Sequence, residues 1–359
     1  MIKVYNIYLI KKFLNKLVYI SLIFCGLVLV INLIEEINFL KDSQVEINIP
    51  IFLTLLNTPS LLYEMFPFIF LISTQFFFME LYDKKEIFTF KHFGLNNLNI
   101  VAVLSITSLI LGILIVTVFY SFSSMLKNEY LKIKNNYASD NKYLAAITKN
   151  GLWIKDTFEN NIFIINADKI EKDNLLNVSI TQFNETYELK KNIIAEKANI
   201  KDNEWNLFEV SVSDWQSNYS KFKEMDFYSN FNSTKINNLF SDLSSLNIFK
   251  LQELKKDYIA IGYSTDEIDI QNHNILSLPF LLMLMCVISS IIMINNKFKK
   301  NIIFNILVGI FFSVIIYYLS HFSHLLGQNG KLPLIFSVWF PLLIILIISS
   351  IGIVRLNEK

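Results

Sequence analysis

Six apolar stretches, each about long enough to cross a bilayer, constrain this chain more than any other feature. A helix rises about 1.5 Å per residue, so about 20 apolar residues span a hydrocarbon core of about 30 Å. Runs of that order fall at about 17–34, 51–79, 98–122, 275–294, 302–326 and 332–354. The predicted fold class is therefore a membrane α-helical protein with six transmembrane helices. Composition supports this: 53% of the 359 residues are hydrophobic and mean hydropathy is +0.42, yet 18% are charged, so apolar and charged residues must be segregated. The polar part lies between the third and fourth runs and is long enough to fold by itself. That divides the chain into an N-terminal membrane half (1–126), an inserted domain (127–273, with a helical connector at its end) and a C-terminal membrane half (274–359).

Charge follows the same division. Residues 127–272 carry 18 basic and 22 acidic groups, a balance of −4, while the remainder carries 14 and 9, a balance of +5. The net +1 excludes the basic excess of a nucleic-acid-binding domain, so no nucleic acid partner is expected. Basic residues in short loops stay on the cytoplasmic side. One side holds Lys3, Lys11, Lys12, Lys16, Lys84, Lys85, Lys91, Lys297, Lys299, Lys300, Arg355 and Lys359, and the short loops of the other hold Lys41 and Lys331. Both termini are thus predicted to be cytoplasmic and the inserted domain of this multi-pass membrane protein extracytoplasmic, which in a bacterium means periplasmic. The first run is too long for a signal-peptide core and is read as a retained span.

In the inserted domain the periodicity changes to two. Leu152 and Ile154 alternate with Trp153 and Lys155, the pairs Ile162 and Ile164, Val178 and Ile180, and Val210 and Val212 repeat the spacing of two, and turns such as Lys201-Asp202-Asn203 separate the segments. This predicts an antiparallel β-sandwich or open barrel with one apolar face. Closed, that face is an ordinary core; partly open, it has room for acyl chains. From about residue 237 the spacing of Leu243, Leu246, Phe249, Leu251 and Leu254 becomes helical and leads back to the fourth span.

Motifs for chemistry are sparse. Gly327-Gln328-Asn329-Gly330-Lys331-Leu332 lacks the spacing and the hydroxyl of a phosphate loop, so no cofactor is expected in this chain and ATP binding would belong to another protein. His321 and His324 lie three apart, without the further ligands that a metal site needs, and no metal is predicted. No Gly-x-Ser-x-Gly or His-Glu-x-x-His occurs, so the chain is read as non-catalytic. Cys25 and Cys286 both lie in apolar runs, as packing residues do.

More information lies at the span ends. Glu35 and Glu36 end the first run, where they are either an interfacial flank or groups facing a polar cavity. Between the second and third runs, residues 82–94 are charged at the start, apolar at Ile87, Phe88, Phe90 and Phe93, and closed by Gly94. That pattern suits a short amphipathic helix, lying on the membrane or offered to a partner's groove.

This loop, at this place in the topology, resembles the coupling helix of the LptF/LptG permease family of the lipopolysaccharide export transporter. The likeness extends to the six spans with a domain inserted after the third, to Glu64-Met65-Phe66-Pro67, and to Gly151-Leu152-Trp153-Ile154-Lys155-Asp156, which is more similar to the LptG branch. The resemblance implies a periplasmic jellyroll-like fold for the inserted domain. It also implies a permease subunit that pairs with an LptF-like counterpart, binds a cytoplasmic LptB-like ATPase dimer, and works with a single-span LptC-like protein. The transported molecule would be lipopolysaccharide, taken from the outer leaflet through a cavity shared by the two permeases, gated by their first and fifth spans and surrounded by membrane lipids. By position, Lys84, Lys85, Glu86, Phe88, Phe90 and Gly94 would couple to the ATPase, and Asn32, Glu35, Glu36, Tyr317, His321 and His324 would line the cavity or gate. One departure stands out: where the family often carries cations for lipid phosphates, this chain has Asn32, Glu35 and Glu36. Acidic groups repel phosphate. The alternative reading is a membrane-anchored periplasmic sensor or binding module without transport.

Overall fold

The computed structural model describes residues 4–41, 46–135, 137, 152–158, 161–171, 173–184, 187–214, 219–233, 235–236, 242–261, 264–294 and 302–357. Lys3, Gly151, Lys297, Lys299, Lys300 and Lys359 lie outside them. The chain forms two compact units, residues 1–127 with 266–359, and residues 128–265.

The first unit is helical. Helix α1 spans Val4–Phe39, α2 Asn48–Asp83, α3 Glu86–His92 and α4 Asn97–Leu114; α4 continues through a π-helical turn at Ile115–Phe119 into α5, Tyr120–Asn135. After the sheet domain and its helix α6 (Ile248–Ile261) come α7 (Asp266–Ile294), α8 (Ile302–Gln328) and α9 (Leu334–Asn357). Six of these helical segments are long and apolar enough to cross a membrane. They outrun the apolar stretches of the sequence: α1 has 36 residues, about 54 Å of helix. Its first turns carry lysines, which hydropathy alone would place outside a span.

Burial differs sharply among the helices. In α7, 67% of the most apolar window is buried inside the chain, against 22% in α1 and in α8. α7 and α2 therefore form the centre, and α1 and α8 offer apolar surface outward. The centre is held by small and polar groups, as expected where lipid removes the hydrophobic drive between helices. Gly112 of α4 lies so close to α7 that an added Cβ would stand 2.7 Å from the Pro279 Cα. Thr74 donates to Cys286 Sγ at 3.1 Å, Ser289 Oγ donates to the Leu71 carbonyl at 2.8 Å, and Gln75 Nε2 donates to the Asn305 carbonyl at 3.0 Å.

The second unit is built on one antiparallel meander of six strands in the order β1-β2-β3-β4-β5-β6. The strands are β1 Leu152–Phe158, β2 Asn161–Glu171, β3 Asn174–Phe183, β4 Leu189–Asn199, β5 Glu204–Asp214 and β6 Tyr219–Tyr228. One face is apolar: Ile154, Ile165, Val178, Ile180, Ile193, Ala195, Leu207 and Val210 are buried. The pairing register skips a single line of residues across five strands, Asp168, Asn177, Glu196, Glu209 and Lys223. Along it Asn177 and Glu209 have φ of 52° and 51°, left-handed values that rotate the peptide plane out of the ladder.

The two edges of this sheet meet. Asp156 of β1 is buried and accepts from Ser229 Oγ at 2.8 Å, from Asn230 N at 2.9 Å and from Asn230 Nδ2 at 2.9 Å, just beyond β6. The rings of Phe158 and Tyr228 lie 4.9 Å apart beside this contact. Trp205 is fully buried and donates to the Phe231 carbonyl at 2.7 Å, fixing the chain that leaves β6. The sheet is thus rolled about its apolar face, as in a jellyroll-like domain, with α6 packed against β1.

Candidate functional site

The richest cluster of side chains lies where α1, α2 and α3 meet. α2 ends at Asp83; Lys84 and Lys85 make a turn, with Lys85 at φ 57°, and α3 starts at Glu86. The amphipathic helix of the 82–94 segment is therefore shorter than the segment itself, because a left-handed residue breaks it from α2. At its other end Gly94 has φ 78°, Leu95 N donates to the Phe90 carbonyl at 3.0 Å and Gly94 N to the Lys91 carbonyl at 3.0 Å. These are the paired bonds of a Schellman C-cap, which require the left-handed residue that glycine provides.

α3 buries Ile87 and turns Phe88, Lys91, His92 and Phe93 outward; Phe88 is 49% and Phe93 81% exposed. Its inner side meets α1. Phe90 lies 6.2 Å from Tyr8, ring to ring, and Glu86 Oε2 accepts from Lys12 Nζ at 2.6 Å. Lys12 also stands 3.4 Å from Glu80 Oε1, Lys16 pairs with Glu80 Oε2 at 2.6 Å, and Lys84 pairs with Glu80 Oε1 at 2.8 Å. Glu80 beside Lys84 holds that ammonium above its usual range. Val4, Tyr5, Tyr8, Glu86, Thr89, Phe90 and Phe93 line a cavity of about 750 Å³ between α1 and α3. An open apolar cleft beside exposed aromatic residues is the surface expected of a partner-binding face.

The residues of the proposed cavity or gate fall into separate groups. Asn32 is buried in α1, where its Nδ2 donates to the Thr54 carbonyl at 3.3 Å and its Oδ1 accepts from Asn57 Nδ2 at 3.2 Å, tying α1 to α2. Glu36 is also buried, one turn further on, while Glu35 is exposed. On α8, Tyr317 is exposed and its ring stacks on His321 with centroids 6.2 Å apart and planes 2° from parallel; Phe68 of α2 lies 6.0 Å away. His324 is partly buried in the same helix. Among the described residues no three His, Cys, Asp or Glu side chains gather as metal ligands.

In the sheet domain, Lys191, Val212, Asp214, Ser220, Phe222, Glu224 and Met225 line a second cavity of about 340 Å³. Its lining mixes apolar Val212, Phe222 and Met225 with charged Lys191, Asp214 and Glu224.

Lys12, Lys16 and Glu80 are the side chains of this cluster that sequence reading did not single out; the lysines counted there only as orientation signals. A signal was present. Lys12 and Lys16 recur at the three- and four-residue spacing of Leu9, Phe13, Leu17 and Ile20, the buried face of α1, where a lysine needs an acidic partner.

No curated protein matches the chain in sequence. The family model for the lipopolysaccharide export system permease LptF/LptG matches residues 7–355, nearly the whole length, and it treats the two branches together. With six membrane-length helices, an inserted six-stranded sheet and a short helix between the second and third spans, the chain belongs to the LptF/LptG family of lipopolysaccharide export system permeases.

Proposed function

We propose that this chain is the non-catalytic permease half of an ATP-driven lipopolysaccharide exporter of the inner membrane, of the LptG-like branch. A second, LptF-like permease completes the shared cavity, and an LptB-like ATPase dimer binds the α3 helices. An LptC-like protein and the sheet domains receive the lipid. Both termini are cytoplasmic and the sheet domain periplasmic, the orientation that the lysine distribution favours.

The observation that carries this reading is the form of α3. It is a capped seven-residue helix between two long spans, with Phe88 and the following Phe93 exposed and its base ion-paired to α1. A helix built only to pack within its own chain would bury Phe88 and Phe93. The weak burial of α1 and α8 supports a second permease, because both present membrane-facing apolar surface able to meet another subunit. The rolled sheet, with its apolar inner face, suits passage of acyl chains.

Lipid phosphates are met, in this reading, by the partner permease or by divalent cations at Glu35 and Glu36. Lipid photocrosslinking in the wild type and in Glu35→Lys and Glu36→Lys variants, with and without divalent cations, separates the two: a wild-type signal unchanged by the cations contradicts the cation route. Native mass spectrometry of the complex purified from its own membrane tests the assembly. Two different permease chains, two ATPase copies and a bound glycolipid are expected; a single permease chain without an ATPase would favour the sensor reading.

A further inference from the structure

α3 has few ways to hold on to the rest of the chain. It is bracketed by two left-handed residues, Lys85 and Gly94, so the backbone turns sharply at both ends. Apolar contact through Ile87 and Phe90 seats it, but apolar contact is non-directional and leaves a helix able to slide. The directional hold is the ion pair from Lys12 of α1 to Glu86, at 2.6 Å, with Lys12 only 9% exposed.

An ion pair this sheltered is a poor source of stability, since apolar residues of the same volume often serve as well. What it supplies is registry. Pairing Lys12 with Glu86 restricts where α3 can sit against α1, and the same ammonium lies 3.4 Å from Glu80 of α2. Glu80 in turn is held by Lys16 and Lys84. One lysine thus stands where three helices must agree.

We infer that Lys12 is a positioning residue of the export cycle: it locks Glu86, and with it α3, in register with α1, so that displacement of α3 by the ATPase is delivered to α1. This rests on the reading of α3 as the ATPase-docking helix, and it names the span of this chain that receives the movement. α1 suits that task, because only 22% of its most apolar window is buried inside the chain.

The test uses the complete complex in proteoliposomes loaded with lipopolysaccharide, comparing wild type with Lys12→Met and Lys12→Arg. Three quantities are read: ATPase co-purified, ATP hydrolysed, and lipid exported per ATP. Lys12→Met, which keeps the length and loses the charge, retains the ATPase and its hydrolysis, while export per ATP falls about tenfold or more, within the usual range of coupling between sites. Lys12→Arg restores the ratio, since it renews the ion pair. Unchanged export per ATP in Lys12→Met overturns the inference, as does loss of ATPase in step with export, or failure of Lys12→Arg to restore. A wild-type complex that carries no ATPase is a different failure; it removes the functional reading before any variant is compared.

Discussion

Asp156 in the first strand and Ser229, just past the last, are joined by a 2.8 Å hydrogen bond, so the two edges of a six-stranded meander meet at a buried carboxylate. An open meander would leave both edges unpaired and its apolar face wet. Closing the edges protects the face and shapes it into a trough. Replacing Asp156 by Ala strands the Ser229 and Asn230 donors and is expected to cost about 2–4 kcal/mol. Hydrogen exchange on the full-length protein is the check: β1 and the segment after β6 lose protection together, while α2 and α7 do not.

The α4–α7 contact has no room for a side chain at Gly112, where a Cβ would press on the Pro279 backbone at 2.7 Å. Gly112→Val is expected to force the helices apart and lower the melting temperature in detergent by several degrees, a loss of about 1–3 kcal/mol from overpacking. Gly94→Val meets open space but a φ of 78°, so its cost is local strain of about 1–2 kcal/mol and falls on α3 alone. Thermal melts of the two variants separate these effects.

Asn32 and Asn57 form an interhelical hydrogen bond between α1 and α2. In a membrane such bonds contribute about 0.6–2 kcal/mol. Asn57→Leu therefore loosens the C-terminal half of α1 without unfolding the chain, and cysteine pairs placed across α1 and α2 will crosslink more slowly than in the parent.

The Asp257 carboxyl in α6 is pushed up from its usual value by burial, with Lys235 pulling the other way. An acid whose folded pKa is raised resists ionisation in the fold, so it costs stability as pH rises through its unfolded value of about 3.9 and beyond. Asp257→Asn is expected to raise the stability of the sheet domain at pH 7 and to change little near pH 3. A larger gain at pH 3 than at pH 7 would have the sign reversed and would refute the assignment.

Much of this structure is legible in the sequence because its signals are long. Leu98 to Phe122 carries no charged residue, and Leu152, Ile154 and Val178, Ile180 recur with period two, so span and strand both declare themselves. What is not legible is what depends on contacts between distant segments. Lys12 looks like an orientation signal until Glu86, 74 residues away, is seen beside it. Asp156 falls on the apolar face of its strand with Leu152 and Ile154, and only the structure shows Ser229 and Asn230 arriving from beyond β6 to satisfy it. Asn32 reads as a polar residue at membrane depth, and only the structure shows α2 supplying its partners. The end of α2 at Asp83 also escapes hydropathy, because the break is made by a left-handed lysine rather than by proline or glycine.

The central claim is that α3 joins this permease to an ATPase, and affinity purification with quantification of ATPase per permease tests it most directly. Glu86→Ala removes the partly exposed carboxylate at the start of α3, which in this reading meets the ATPase as well as Lys12, and Phe88→Asp puts a charge on its exposed aromatic face. Removing an interface anchor of this kind typically costs 2 kcal/mol or more, about thirtyfold in affinity. The account predicts that ATPase recovery collapses in Phe88→Asp and falls in Glu86→Ala, with the permease still folded and in the membrane. Wild-type recovery of ATPase in both variants would contradict it.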